Sequence, residues 1–226
     1  MDPEPVTLLE GLATTRAIRR YTDDPLPEAD LAEILWHAAR APSGTNRQPF
    51  RFITLRRDDP EADAARALLG RSFRASWVDK QADLDRDGRP ESGSPRARMQ
   101  ASMQQYVDHL ERTPVVVLVG LERYRSAHPY EGASVYPACQ NLLLAARALG
   151  YGGALTGFHH VVEDELRQLL GVPDHVALSA CITLGRPAGR HGPLRRKPLD
   201  RLVHDGRWDR PAEWLGEWGG GGGRGR

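Results

Sequence analysis

The sequence predicts an α+β fold, a sheet flanked by helices with extended arms at both ends of the chain. Three observations carry that expectation. Residues 115–121 (VVVLVGL) form an uninterrupted apolar run rich in β-branched side chains, the mark of a central strand covered on both faces. Residues 176–184 repeat the pattern as a second core strand. Between and before them, apolar residues recur at helical spacing, most clearly at Leu31, Ile34, Leu35 and Ala38.

In chain order, residues 8–19 read as a first helix and residues 21–27 as an extended link with two prolines. Pro27 opens the next helix, where Glu28 and Asp30 favour the positive N-terminal end; it stops near Arg40, ahead of Pro42. Residues 42–49 (PSGTNRQP) are rich in turn formers and read as a loop, followed by a strand over 50–55. Asp59 is placed to cap a helix that runs through Ala62, Ala65 and Leu68 to Gly70. Residues 79–98 are polar and broken by Gly88, Pro90, Gly93 and Pro95, which reads as a mobile surface excursion, either a lid or a tolerated insertion. Residues 135–149 form a long apolar helix with Pro137 early and Gly150 as its stop. A short helix over 163–170 ends at Gly171 and Pro173.

After Pro187 the chain turns basic and proline-rich. Its large apolar residues Trp208, Trp214 and Trp218 lack periodicity, so this tail is expected to pack on another surface, such as a partner subunit. The run 219–226 is low in complexity and expected to be disordered. The reading is one domain over 1–218.

Charge and cysteine content narrow the function. Thirty-one Lys and Arg against 30 Asp and Glu give a net charge of +1, which argues against a dedicated nucleic-acid or membrane-surface binder. Any anion site must be local. Cys139 and Cys181 lie in apolar runs with no CxxC pair, which points to a reducing compartment. The N-terminal segment lacks the pattern of a signal peptide, and no apolar run reaches the length of a spanning helix, so a soluble, cytoplasmic protein is expected.

The common catalytic constellations are missing from the sequence. The close pair His159–His160 has no carboxylate or cysteine at ligand spacing, so no metal is expected. There is no GxSxG elbow and no P-loop. Gly150, Gly152, Gly153 and Gly157 make a glycine-rich turn, but they follow a helix and miss the dinucleotide spacing.

Three features remain. Arg16, Arg19 and Arg20 close the first predicted helix, with Arg16 and Arg20 on one face. Alone, such a cluster is an ordinary solvated basic face. Ser43, Asn46 and Gln48 form an amide-rich loop whose mixed donors and acceptors match the edge of a flavin or nucleobase, although turn chemistry alone accounts for such residues. Arg195, Arg196 and Lys197 make a late basic cluster. Together the three suit a phosphate-bearing heteroaromatic ligand.

Four blocks then occur in order: TTRAIRRY at 14–21, APSGTNRQPF at 41–50, QNLLLAARALGYGG at 140–153 and RRKPL at 195–199. This series resembles the FMN-dependent nitroreductase family over about residues 14–210. The resemblance implies a mostly antiparallel sheet and an interlocked homodimer with an FMN at each subunit interface. Carried over by position, Arg16, Ala17 and Arg19 would meet the FMN phosphate, joined by Arg195, Arg196 or Lys197. Pro42, Ser43, Gly44, Asn46 and Gln48 would line the cofactor, and the backbone of Leu155, Thr156 and Gly157 would lie near flavin N5. The family often has Arg and Ser where this chain has Thr15 and Ala17, which removes one phosphate contact.

The implied activity is ping-pong electron transfer from NADPH or NADH to nitroaromatics or quinones, with no catalytic side chain required. The same resemblance also admits a specialised dehalogenase or dehydrogenase, or a flavin-storing protein. In the storage reading an aromatic residue such as Tyr106, Tyr124 or Phe158 would close the face above the flavin.

Overall fold

The computed structural model describes residues 6–86, 88–189, 194 and 196–216. The expected roles of Arg195, Trp218 and residues 219–226 fall outside that set. The chain packs as two units, Met1–Gly192 and Pro193–Arg226.

The first unit is an α+β sandwich. A four-stranded sheet runs in the order β1-β2-β4-β3, with β1 at Phe50–Arg56, β2 at Val115–Glu122, β3 at Gly152–Thr156 and β4 at Val176–Gly185. Every pairing is antiparallel, as the family resemblance implies. One face carries the helices α2 (Glu28–Ala38) and α5 (Tyr136–Ala148), the other α3 (Asp63–Asp85), α4 (Pro95–Asp108) and α6 (Glu163–Leu169). The apolar run of β2 follows from that placement. Val115, Val117 and Val119 pack toward α2 and α5, while Val116 and Leu118 pack toward α3 and α4, so neither face tolerates a polar residue. No helix among the described residues is long and apolar enough to cross a membrane.

Helices α2, α5 and α6 and strands β1, β2 and β4 lie where the sequence predicts them. Gly150 and Gly171 take φ of +81° and +62° just beyond their helices, the left-handed geometry that ends a helix without a Cβ penalty.

Four expectations change. The first helix, α1, covers only Leu8–Thr14. Thr14 Oγ1 bonds back to the Glu10 carbonyl at 2.8 Å, and four residues later the Ile18 amide turns to Gly153 O instead of continuing the helix. Arg16 to Arg20 therefore lie outside the helix, without regular secondary structure.

Gly70 does not stop α3, which continues to Asp85. A Cβ at Gly70 would lie 1.8 Å from Glu111 Oε1, so this glycine makes room for a packed carboxylate inside the helix.

The polar stretch 79–98 is largely helical, the end of α3 and the start of α4, with only 86–94 between them. The two helices are joined by polar bonds near this stretch: Trp77 Nε1 donates to Gln104 Oε1 at 2.9 Å and Gln100 Nε2 to Asp85 Oδ1 at 3.0 Å.

The glycine-rich turn contains edge strand β3. A Cβ at Gly152 would fall 2.5 Å from Ile18 Cγ1, and one at Gly153 2.6 Å from Thr183 O, so tight packing there requires glycine.

Behind the sheet, the buried Arg66 donates to Leu55 O at 2.8 Å, Glu111 O at 2.7 Å and Thr113 O. It pins the end of β1 to the entry of β2.

Among the described residues of the second unit are two short 3-10 turns, Leu199–Arg201 and Glu213–Leu215, and an antiparallel bridge between His204 and Pro211. Within it the rings of His204 and Trp208 lie 4.5 Å apart.

Candidate functional site

The amide loop is held in a costly backbone conformation. Thr45, Asn46 and Gln48 take φ of 51°, 54° and 51°, a left-handed region unfavourable for side chains other than glycine by roughly 1–3 kcal/mol each. Local bonds hold it: the Gln48 amide donates to Ser43 Oγ at 2.9 Å and the Gly44 amide to Ser134 Oγ at 3.1 Å. The outcome is that Asn46 and Gln48 both stand exposed, with Gln48 Nε2 donating to Asn46 Oδ1 at 3.2 Å. The Asn46 amide nitrogen and the Gln48 oxygen are left as an outward donor and acceptor.

Pro42, Ser43, Gly44 and Arg47 form one wall of a 360 Å³ cleft whose other wall is the connection from β2 to α5. The Arg47 guanidinium lies 4.0 Å from the Tyr124 ring centroid. Tyr124 is the one of the three aromatic candidates that faces an open surface. Tyr106 is 3% exposed with its hydroxyl 2.8 Å from Thr183 Oγ1, and Phe158 packs edge-on against Phe73 at 5.5 Å. Neither of these two is placed to cover a flavin.

The arginine segment lies elsewhere, beside β3. The Ile18 amide donates to Gly153 O at 2.9 Å, the Thr22 amide to Arg186 O, and Tyr21 bridges Pro187 antiparallel. Arg19 and Arg20 border a 340 Å³ pocket with His109 and Arg112, and Arg16 is not among its walls. The helix face expected to join Arg16 and Arg20 does not exist. Among the described residues no carboxylate pairs with Arg16, Arg19 or Arg20. Beneath the pocket, Tyr21 and Tyr106 share Thr183 Oγ1 at 2.8 Å each, and burial raises both phenols well above their usual range.

The turn after β3 completes this edge. Because Gly153 spends its outward carbonyl on Ile18, the backbone of Leu155, two residues on, also points away from β4. Leu155 is 42% exposed, and a Cβ at Gly157 would meet nothing within 4 Å. Thr156 Oγ1 accepts the Phe158 amide at 3.1 Å and shapes the turn.

One chain thus joins two of the three expected groups along the β3 edge, Arg16 to Arg20 and the 155–157 turn. The amide loop opens into a different cleft that shares no lining residue with the arginine pocket. Arg196 and Lys197 are exposed in the second unit.

The remaining polar candidates are structural. His159 is 2% exposed, with Nε2 3.1 Å from Leu178 O. Both cysteines are buried and unpaired, and burial pushes the Cys139 thiol up to about 12. No cluster of metal-ligating residues occurs among the described residues.

The model of the nitroreductase family matches residues 12–186. A Thermus thermophilus protein named NADH dehydrogenase is 32% identical over 205 residues, covering 83% of this chain and 90% of its own. Rat (Rattus norvegicus) iodotyrosine deiodinase 1 is 26% identical over 204 residues, covering 86% of this chain and 67% of its own. Among solved structures, a Desulfovibrio desulfuricans protein in complex with FMN superposes with a TM-score of 0.65 at 28% identity, covering 89% of this chain and 96% of that one.

Proposed function

The chain belongs to the nitroreductase family, and on that premise we propose that it is an FMN-dependent oxidoreductase passing electrons from NADH or NADPH to a small organic acceptor such as a nitroaromatic or a quinone. One observation carries the reading. Three arginines without carboxylate partners lie on a segment bonded to edge strand β3, which leads into the exposed residues Leu155 and Gly157. The phosphate of FMN suits the first and its ring suits the second. Arg16 and Arg19 would hold the phosphate, while Ala17 contributes backbone alone. Ser43, Asn46 and Gln48 would address the ring edge, with Pro42 and Gly44 shaping that wall. When bound, FMN supplies the hydride chemistry, so the protein needs to bind, orient and exclude water.

The separation of the amide loop from the arginine edge supports a homodimer. A single flavin drawing on both would take the loop from one chain and the arginines from the other. The apolar surface of α1 fits such pairing: Leu8 and Leu9 are 71% and 77% exposed beside a 390 Å³ groove lined by Leu144 and Leu149 of the α5 region. The buried, unpaired cysteines suit a reducing, cytoplasmic setting.

An absorbance spectrum of the purified protein, followed by anaerobic NADPH and then NADH, tests the proposal. A flavin spectrum that bleaches with either donor is the expected result. A colourless protein that cannot be reconstituted with FMN overturns it.

The iodotyrosine deiodinase relative favours a second reading, reductive dehalogenation, with the same cofactor site and a different acceptor. Iodide release from an iodinated phenol by the reduced protein distinguishes the two.

A further inference from the structure

The cleft against the amide loop carries charge that cofactor binding leaves unused. Two carboxylates line it, and both are neutralised. Glu131 takes the Arg123 guanidinium through two bonds, one at 2.9 Å, which holds its carboxyl below the usual carboxylate range. Glu122 pairs with Arg51 and lies 3.5 Å from His175 Nε2.

Arg47 and Arg125 differ. Neither has a carboxylate partner among the described residues, and both lie against Tyr124, at 4.0 and 5.2 Å from its ring centroid. Arg125 Nη2 also sits 2.7 Å from His128 Nε2, which restrains the guanidinium at the mouth of the cleft. Tyr124 and Tyr130 are 59% and 80% exposed, a large aromatic surface to leave in water. The cleft measures 360 Å³, within the range of about 300–1,000 Å³ typical of small-molecule sites.

Two unneutralised guanidinium groups around exposed phenol rings suit a ligand that is both planar and anionic. A guanidinium pairs with a carboxylate through a planar fork and stacks on an aromatic face, which an ammonium does less well. We propose that this cleft is an acceptor subsite selecting aromatic carboxylates. Arg125 and Arg47 receive the carboxylate, and Tyr124 and Tyr130 supply ring surface. The inference rests on the flavin reading, because Pro42, Ser43 and Gly44 line the same cleft.

The test uses flavin-loaded protein, NADPH or NADH, and two acceptors of similar shape, 4-nitrobenzoate and 4-nitrobenzyl alcohol. The protein is expected to show the lower KM for nitrobenzoate. Arg125→Gln is expected to shift the ratio of the two KM values about tenfold toward the alcohol, the scale of one lost charge-assisted hydrogen bond. Arg125 is exposed, so this variant retains its fold. A purely structural role for Arg125 would move both KM values together. Benzoate titrated into the oxidised holoprotein reads the same selection without turnover, and Arg125→Gln is expected to need about ten times more benzoate to perturb the flavin spectrum. An unchanged ratio, a protein that favours the alcohol, or a benzoate response unaffected by Arg125→Gln overturns the proposal. Failure of the flavin reading would show separately, as absent flavin or as flavin that NAD(P)H does not bleach before any acceptor is added.

Discussion

The Ile18 amide donates to the Gly153 carbonyl at 2.9 Å, and together with the bonds of Thr22 to Arg186 O and Ala188 to Arg20 O it ties the arginine segment to the outer edge of the sheet. These bonds hold Arg16 to Arg20 along β3, the strand that leads into the exposed residues Leu155 and Gly157.

That contact leaves no room for a methyl group. A Cβ at residue 152 would lie 2.5 Å from Ile18 Cγ1 and 2.9 Å from Ile18 Cβ. Gly152→Ala is expected to destabilise the fold by about 1–3 kcal/mol, the usual cost of overpacking, and to weaken FMN binding by displacing Arg16 and Arg19. Adding Ile18→Ala should recover part of the binding loss. Urea unfolding with FMN titration checks both effects, and a Gly152→Ala protein with unaltered affinity would separate this edge from the cofactor.

Removing Arg16 and Arg19 together tests the phosphate assignment. The doubly substituted protein, Arg16→Ala with Arg19→Ala, is expected to lose FMN affinity by about 10- to 100-fold per arginine, the scale of a charge-assisted bond. Flavin retained after gel filtration reads the result. A folded variant with full flavin would show that the phosphate sits elsewhere.

Arg66 contributes to stability rather than to the site. Its guanidinium serves three backbone carbonyls, and burial lowers its pKa from the usual value. Arg66→Met is expected to cost about 3–5 kcal/mol because the carbonyls lose their donors. Arg66→Lys should not rescue it, since an ammonium lacks the planar fork. Thermal and urea unfolding measure the loss.

His159 makes stability fall in acid. Burial lowers its pKa, and its Nδ1 has no hydrogen-bond partner inside the fold. Below about pH 6.5 the unfolded chain takes up a proton there that the folded chain refuses. Stability contributed at neutral pH is therefore lost as pH drops through that value, by at most about 1.4 kcal/mol per pH unit. His159→Gln keeps a donor for Leu178 O and should flatten this part of the profile. Urea unfolding at pH 7.5 and 5.5 compares the two proteins, and equal pH slopes would refute the assignment.

Legibility in the sequence followed the range of the forces involved. The apolar runs of β2 and β4 and the stripes of α2 and α5 mark buried faces that repeat within a few residues. Helix α4 also had a local signal, Ser94 followed by Pro95, and the Ser94 hydroxyl accepts the Ala97 amide at 3.1 Å. Its polar composition hid that signal, because Gln100 Nε2 and Gln104 Oε1 find their partners, Asp85 and Trp77, on α3. Strand β3 was hidden for a related reason: Gly152 and Gly153 look like turn residues until Ile18 and Thr183 are seen to crowd them.

By itself, the sequence determined the α+β class, the places of α2, α5, α6, β1, β2 and β4, and the four motif blocks that mark the family. Each depends on spacing within a short window, where local propensity and burial act together. Only the tertiary structure decided which motifs share a surface. It turned Arg16 to Arg20 from a helix face into an edge segment, sank Tyr106 into the core and left Tyr124 open beside Arg47. Those outcomes depend on contacts between residues more than seventy positions apart, such as Arg47 with Tyr124 and Ile18 with Gly153, and no local pattern records them.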